Sequence, residues 1–132
     1  MKVILNPDSS SMNEYNDFTP GKEYWVIGIE YGRWRVIGDN IAKPYVYPTT
    51  LFIVIDATKG KGWLTSPDGE CEYPKELQER ALFDKYFSGD SNARQIYRDY
   101  LIKLKLMDPS EETIPDPELE KLFIEQKRLK GM

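Results

Sequence analysis

The sequence predicts an α+β protein: a small antiparallel barrel or sandwich of about five strands, followed by two to three α-helices. Three observations carry that prediction. Up to residue 67, β-branched and aromatic runs alternate with Gly-, Pro- and Asn-containing turns at roughly the 8–12-residue spacing of small all-β modules. Beyond Pro74 the apolar period lengthens from two residues to about 3.6. The change falls at Pro67-Asp68-Gly69, a turn. Residues 1–67 are therefore assigned to the strand module and residues 68–132 to a helical extension packed on or beside it.

The strands follow in order. Val3 to Leu5 is the first, closed by Asn6-Pro7, and the stretch from Pro7 to Asn16 reads as a polar loop. After the turn Thr19-Pro20-Gly21-Lys22, Glu23 to Glu30 (EYWVIGIE) has the composition of a strand, and Gly28 inside it predicts a bulge where the strand bends. Tyr31-Gly32 is a tight connection to Arg33–Gly38, and Asp39-Asn40 is the next turn. Pro44 to Tyr47 and Leu51 to Asp56 (LFIVID) supply two further strands around the break at Pro48, and Gly60-Lys61-Gly62 loops before Trp63-Leu64. The expected core is Tyr24, Val26, Ile29, Val36, Phe52 and Val54. Trp25, Trp34, Tyr45, Tyr47 and Trp63 are left to cover the ends or meet the helices.

In the second half, Pro74 suits the first position of a helix with Leu77, Ala81 and Phe83 to Phe87 behind it. Ser88-Gly89-Asp90 ends that helix and Ser91 caps the next. There Ala93, Ile96, Tyr97, Tyr100, Leu101 and Leu104 give the clearest helical face in the chain. Pro109 stops it. Asp108 to Glu120 then carries six acids, three prolines and no base. Asp116 and Pro117 read as N-cap and first residue of a third helix. Its stripe is thin (Leu119, Leu122, Phe123, Leu129), and Lys127, Arg128 and Lys130 complement its C-terminal dipole. A thin stripe behind a Pro-rich linker predicts a docked or loosely held arm.

Composition narrows the function classes. No apolar stretch approaches the ~18 residues that cross a bilayer, and the N-terminus is interrupted too soon for a secretory signal. With a single cysteine no internal disulfide forms, and the expected location is cytoplasmic. The net charge of −4 resides wholly in residues 68–132, with fifteen acids and eleven bases against seven of each before them. An acidic chain without a basic stripe is poorly suited to nucleic acid, whereas acidic surfaces steer basic partners.

The residues for catalysis are also missing. No histidine is present, so triads, Cys–His dyads and His-containing zinc sites are absent. Cys71 lies among Asp68, Glu70 and Glu72, which raise its pKa and blunt its reactivity. Lys59-Gly60-Lys61-Gly62 lacks phosphate-loop spacing, and no stretch has the EF-hand pattern. No cofactor or metal is expected. A carboxylate-based enzyme site would have to be assembled in three dimensions, and would need a deep pocket.

The run Tyr24-x-Val26-x-x-Ile29-Glu30, then Trp34-Arg35-Val36 with Asp39, then Tyr45-x-Tyr47-Pro48, Leu51-Phe52, Val54-Ile55-Asp56 and Trp63 resembles a group of small bacterial SH3-like β-barrel proteins of mostly unassigned function. The match covers residues 19–64, and residues 74–132 have no counterpart in the short members. Small acidic proteins of this kind often resemble immunity proteins encoded beside bacterial toxins. The resemblance thus implies an SH3-like barrel and a non-catalytic, protein-binding role, foremost that of an immunity protein or stoichiometric inhibitor of a basic toxin domain. Partner contacts would come from the aromatics Trp34, Tyr45 and Tyr47, from Glu70 and Glu72, and from the linker acids Asp108, Glu111, Glu112, Asp116, Glu118 and Glu120. The alternative is a phage or mobile-element assembly or peptide-binding protein that uses the barrel's aromatic surface, with the third helix packing in a homodimer.

Overall fold

The computed structural model describes residues 1–9 and 15–130; Met12, in the expected polar loop, lies outside them. The chain is α+β, an antiparallel sheet followed by helices. Strands β1 (Lys2–Leu5), β2 (Tyr24–Glu30), β3 (Arg33–Val36), β4 (Val46–Tyr47) and β5 (Phe52–Asp56) take the spatial order β4-β3-β2-β1-β5. A further hairpin, β6 (Leu64–Thr65) and β7 (Cys71–Tyr73), joins through β7, which pairs with the end of β2 at Ile29↔Glu72 and Glu30↔Cys71. The sheet therefore reaches past residue 67 into the segment that the sequence assigned to helices.

β2 pairs with β1 at its start and with β3 and β7 at its end, and it needs a bend to do so. The expected bulge supplies it. The register against β3 slips between Val26 and Gly28, and a Cβ on Gly28 would lie 2.7 Å from the Tyr73 ring. Glycine here leaves room for the Tyr73 ring to lie against β2.

The predicted closure into a barrel is not seen. A 3-10 turn (Thr49–Leu51) joins β4 to β5, yet among the described residues the two strands share no ladder. β4 is two residues long and ends at Pro48, which has no N–H to donate, and the turn carries the chain across to β1 instead. β5 is thereby an edge. Its register against β1 slips so that Val3 faces Val54 and Lys2 faces Asp56, leaving Ile55 as the extra residue of a bulge. The slip falls beyond Val54, which keeps the face of Phe52; expected in the core, Val54 is 40% exposed on this edge strand.

Tyr47 makes the opposite exchange. Expected outside, it is 2% exposed, packs edge-to-face on Phe18 at 4.8 Å and donates its hydroxyl to Asp17 at 2.8 Å. Its partners come from the loop before β2, which strand patterning does not reveal. Met1, Val3, Leu5, Phe18, Tyr24, Val26, Val36, Leu51 and Phe52 complete this inner core. A second core lies between Ile27 and Ile37 of the sheet side and the helices, centred on Leu77, Phe83, Tyr86, Tyr97 and Leu101. Here Tyr97 and Tyr86 donate their hydroxyls to the carbonyls of Ile41 and Ala42, at 2.6 and 2.7 Å, so each buried ring has its polar tip paired.

The expected helix from Pro74 is interrupted. Pro74 precedes a 3-10 turn (Lys75–Leu77), and α1 (Leu82–Phe87) starts only after Ala81, whose φ of 55° is left-handed. Leu77, Leu82 and Phe83 all reach the same core, and the break lets them. α2 (Ser91–Lys103) buries the predicted face; its cap is Asp90 rather than Ser91, with the carboxylate accepting from the Ala93 N–H at 2.8 Å. α3 (Pro117–Lys130) begins as expected, with Asp116 accepting from the N–H groups of Glu118 and Leu119. The side chains of Glu120, Phe123 and residues 126–130 lie outside the described ones, and with them part of the predicted stripe and its basic end. Among the described residues, no helix is long and apolar enough to cross a membrane.

Asp39 ties the loop before β2 to the turn after β3. It accepts from Lys22 at 2.7 Å, Thr19 Oγ1 at 2.8 Å and the Tyr24 hydroxyl at 2.9 Å. Burial alone would raise its pKa, but these three donors outweigh it and hold the carboxyl below its usual 3.8. A carboxylate depressed on folding stabilises the native state above its unfolded pKa, and that contribution is lost as pH falls through the folded value. Asp39→Asn should therefore melt below the parent at neutral pH, and the gap should close as pH falls below the carboxyl's usual 3.8 and through its lowered folded value, as thermal unfolding across pH would record.

Candidate functional site

The tips of two hairpins meet at one end of the sheet. Glu30 and Arg33 pair across β2 and β3, so Tyr31 and Gly32 form a two-residue loop, with φ of 51° and 76°. Positive φ at both positions marks a type I′ turn, which matches the right-handed strand twist and favours Asn-Gly. Tyrosine in the first position sits in left-handed backbone at a cost of roughly 1 kcal/mol. Packing does not repay this, because Tyr31 is 69% exposed.

The second tip holds the first in place. The Tyr31 N–H donates to the Glu70 carbonyl at 2.9 Å. In the β6–β7 turn, Asp68 accepts from Ser66 Oγ at 2.5 Å and from the Glu70 N–H at 3.0 Å, while Ser66 Oγ accepts from the Cys71 N–H at 3.0 Å. These bonds hold the Asp68 carboxyl below its usual value. The charge thus persists in mildly acidic solution. Cys71 and then Asp68 push the exposed phenol of Tyr31 up. Burial, then Glu30 and Asp68, push the Cys71 thiol up as well, so it is protonated near neutral pH and a poor nucleophile.

Beneath the tips lies a buried ion pair. Arg35 engages both oxygens of Glu30, donates to the Pro44 carbonyl at 2.6 Å and stacks over the Phe83 ring at 4.3 Å. This fixes β2 to β3 and, through Phe83 of α1, to the helices. The pair lines a small cleft of about 70 Å³, shared with Tyr73, Glu79 and Asp84. One carboxylate oxygen of Glu79 is buried there without a hydrogen-bond partner, while the other takes Asn92 at 3.3 Å. Both oxygens of Glu30 are committed to Arg35, whereas Glu79 keeps one oxygen unpaired and Asp84 lines the same cleft. Among the described residues no group of three metal-ligating side chains comes together.

The residues singled out by sequence are distributed over the surface and the core. Trp34 is half-buried against Phe52, Tyr47 is core, and Tyr45, 41% exposed, stacks on Phe87 of α1 at 5.2 Å. They do not line one groove. Glu70 is exposed at the tip, and Glu72 pairs with Lys59. Among the linker acids, Asp108 caps a turn through the Ser110 N–H at 2.8 Å, Asp116 caps α3 and accepts from Asn40 at 3.0 Å, and Glu118 pairs with Lys43 at 3.5 Å. Glu111 offers its backbone carbonyl to Arg98 at 2.6 Å and, with Glu112, leaves its side chain exposed; the Glu120 side chain is not among those described. Much of the linker's charge therefore serves its own geometry. Sequence reasoning missed Tyr31, although Tyr-Gly in a loop where Asn-Gly is preferred was a readable signal.

Comparison with protein-family models, with curated proteins and with solved structures finds no match for this chain.

Proposed function

We propose that the protein is a non-catalytic, cytoplasmic binding module of the SH3-like kind, acting as a stoichiometric inhibitor or immunity protein that engages a basic protein partner through the hairpin tips. The strand order β4-β3-β2-β1-β5, with a 3-10 turn between the fourth and fifth strands, supports the SH3-like reading. The observation that carries the function is Tyr31: an aromatic held in strained backbone, exposed, and flanked by Asp68 and Glu70. Strain that packing does not repay clusters at functional sites, and exposed tyrosines make strong interface anchors. The neighbouring carboxylates would speed encounter with a basic surface.

Charge reversal tests the electrostatic half of this reading. Asp68→Lys with Glu70→Lys should slow association with the partner by about tenfold or more at low salt, and the difference should shrink as ionic strength rises. Stopped-flow association across a salt series gives the answer; an association rate insensitive to both the substitutions and salt would refute steering by these acids. The assembly or peptide-binding alternative is favoured by the stacked, half-exposed Tyr45–Phe87 pair. It predicts instead that Tyr45→Ala abolishes binding while the tip variants bind normally.

A further inference from the structure

α3 stands apart from the two cores. Its 14 residues run about 21 Å at 1.5 Å per residue. Among the described residues, side-chain bonds tie it to the body only at its start, Asn40 to Asp116 and Lys43 to Glu118. Farther along, Leu119, Leu122 and Ile124 are 50%, 55% and 61% exposed. An isolated helix of this length is marginal in water, and among the described residues Leu119, Leu122 and Ile124 join neither core.

The charge along the segment identifies the occupant. By sequence, the first turn of α3 carries Glu118 and Glu120 and no base, and its last turn carries Lys127, Arg128 and Lys130 and no acid. Two copies laid antiparallel place the acidic start of each against the basic end of the other, and their helix dipoles also oppose. Laid parallel, they would meet like against like. A surface that complements itself under a two-fold rotation is what an isologous dimer needs.

We propose that α3 is a homodimerisation element that pairs antiparallel with α3 of a second copy, burying Leu119 and Leu122 about a two-fold axis near the middle of the helix. The contact is smaller than the ~1,200 Å² of a standard stable interface, so the dimer is weak, with a dissociation constant on the order of tens of micromolar at low salt. It leaves the hairpin tips free and is independent of their proposed role.

Analytical ultracentrifugation of the full chain from about 5 to about 500 µM tests this, since that range brackets the expected constant. The chain should pass from monomer to dimer, and raising the salt to about 1 M should weaken the dimer several-fold. Leu119→Glu with Leu122→Glu should remain monomeric throughout, with the thermal midpoint of the body unchanged. In a Cys71→Ser background, oxidation should link Leu122→Cys chains but not Glu118→Cys chains, whose positions lie about 16 Å apart along the axis of an antiparallel pair. A parent that stays monomeric, a dimer that survives the double Leu substitution, or equal linking through Glu118→Cys would overturn the proposal.

Discussion

Replacing Arg35 by Leu should lower the unfolding free energy by about 3–5 kcal/mol, the usual effect of removing one member of a buried ion pair. The side chains of Arg35 and Glu30 are only 10% and 18% exposed, so the pair is shielded on both sides. Without the guanidinium, the Glu30 carboxylate and the Pro44 carbonyl stay buried without their donor, and the ring of Phe83 loses the cation over its face. Coulomb attraction alone would not predict so large a loss, because desolvation offsets much of it in the intact protein; the cost comes from stranding the partner. It follows that Glu30→Leu combined with Arg35→Leu should recover at least half of the deficit. Urea unfolding of the two single variants and the double variant completes the cycle. A single Arg35 variant as stable as the parent would mean that water reaches the pair freely.

Tyr31→Asn should move stability and binding in opposite directions. Asparagine tolerates left-handed backbone and is the preferred first residue of a type I′ turn, so the variant should be more stable by about 0.5–1 kcal/mol. Removing an aromatic anchor from the centre of an interface costs about 2 kcal/mol or more, a loss of roughly 30-fold in affinity. The opposite signs distinguish a functional tyrosine from a merely tolerated one. A substitution that stabilises the fold and leaves binding untouched would show that Tyr31 is incidental to the interface.

Features set by local chemistry were legible in the sequence. Gly28 announced a bulge because a strand must bend where it changes partners, and Asp116-Pro117 announced a helix start because both residues suit only that place. The face of α2 followed from its spacing. What escaped depended on contacts between distant segments. β5 lies at the sheet edge, where Val54 is 40% exposed, and nothing in FIVID encodes that place or the slip at Ile55. β7 is a three-residue strand, Cys71-Glu72-Tyr73, too short for a period and defined only by pairing with β2 and β6. The helix-favouring stretch Glu79-Arg80-Ala81 yields to the demand that Leu77 and Leu82 reach one core. For the candidate site, Glu70 was visible as an acid beside a turn. Its neighbour Tyr31 became meaningful only when the sign of its φ and its exposure were known together.

The central claim, that the hairpin tips bind a basic protein, is tested most directly by parallel affinity capture from the native cell lysate. The baits are the parent chain, Tyr31→Asn, and the Asp68→Lys/Glu70→Lys variant, with retained proteins quantified by mass spectrometry. One basic protein held in stoichiometric amount by the parent and lost from both variants is the predicted result. A partner held equally by all three baits, or recovery of the chain alone, would contradict it.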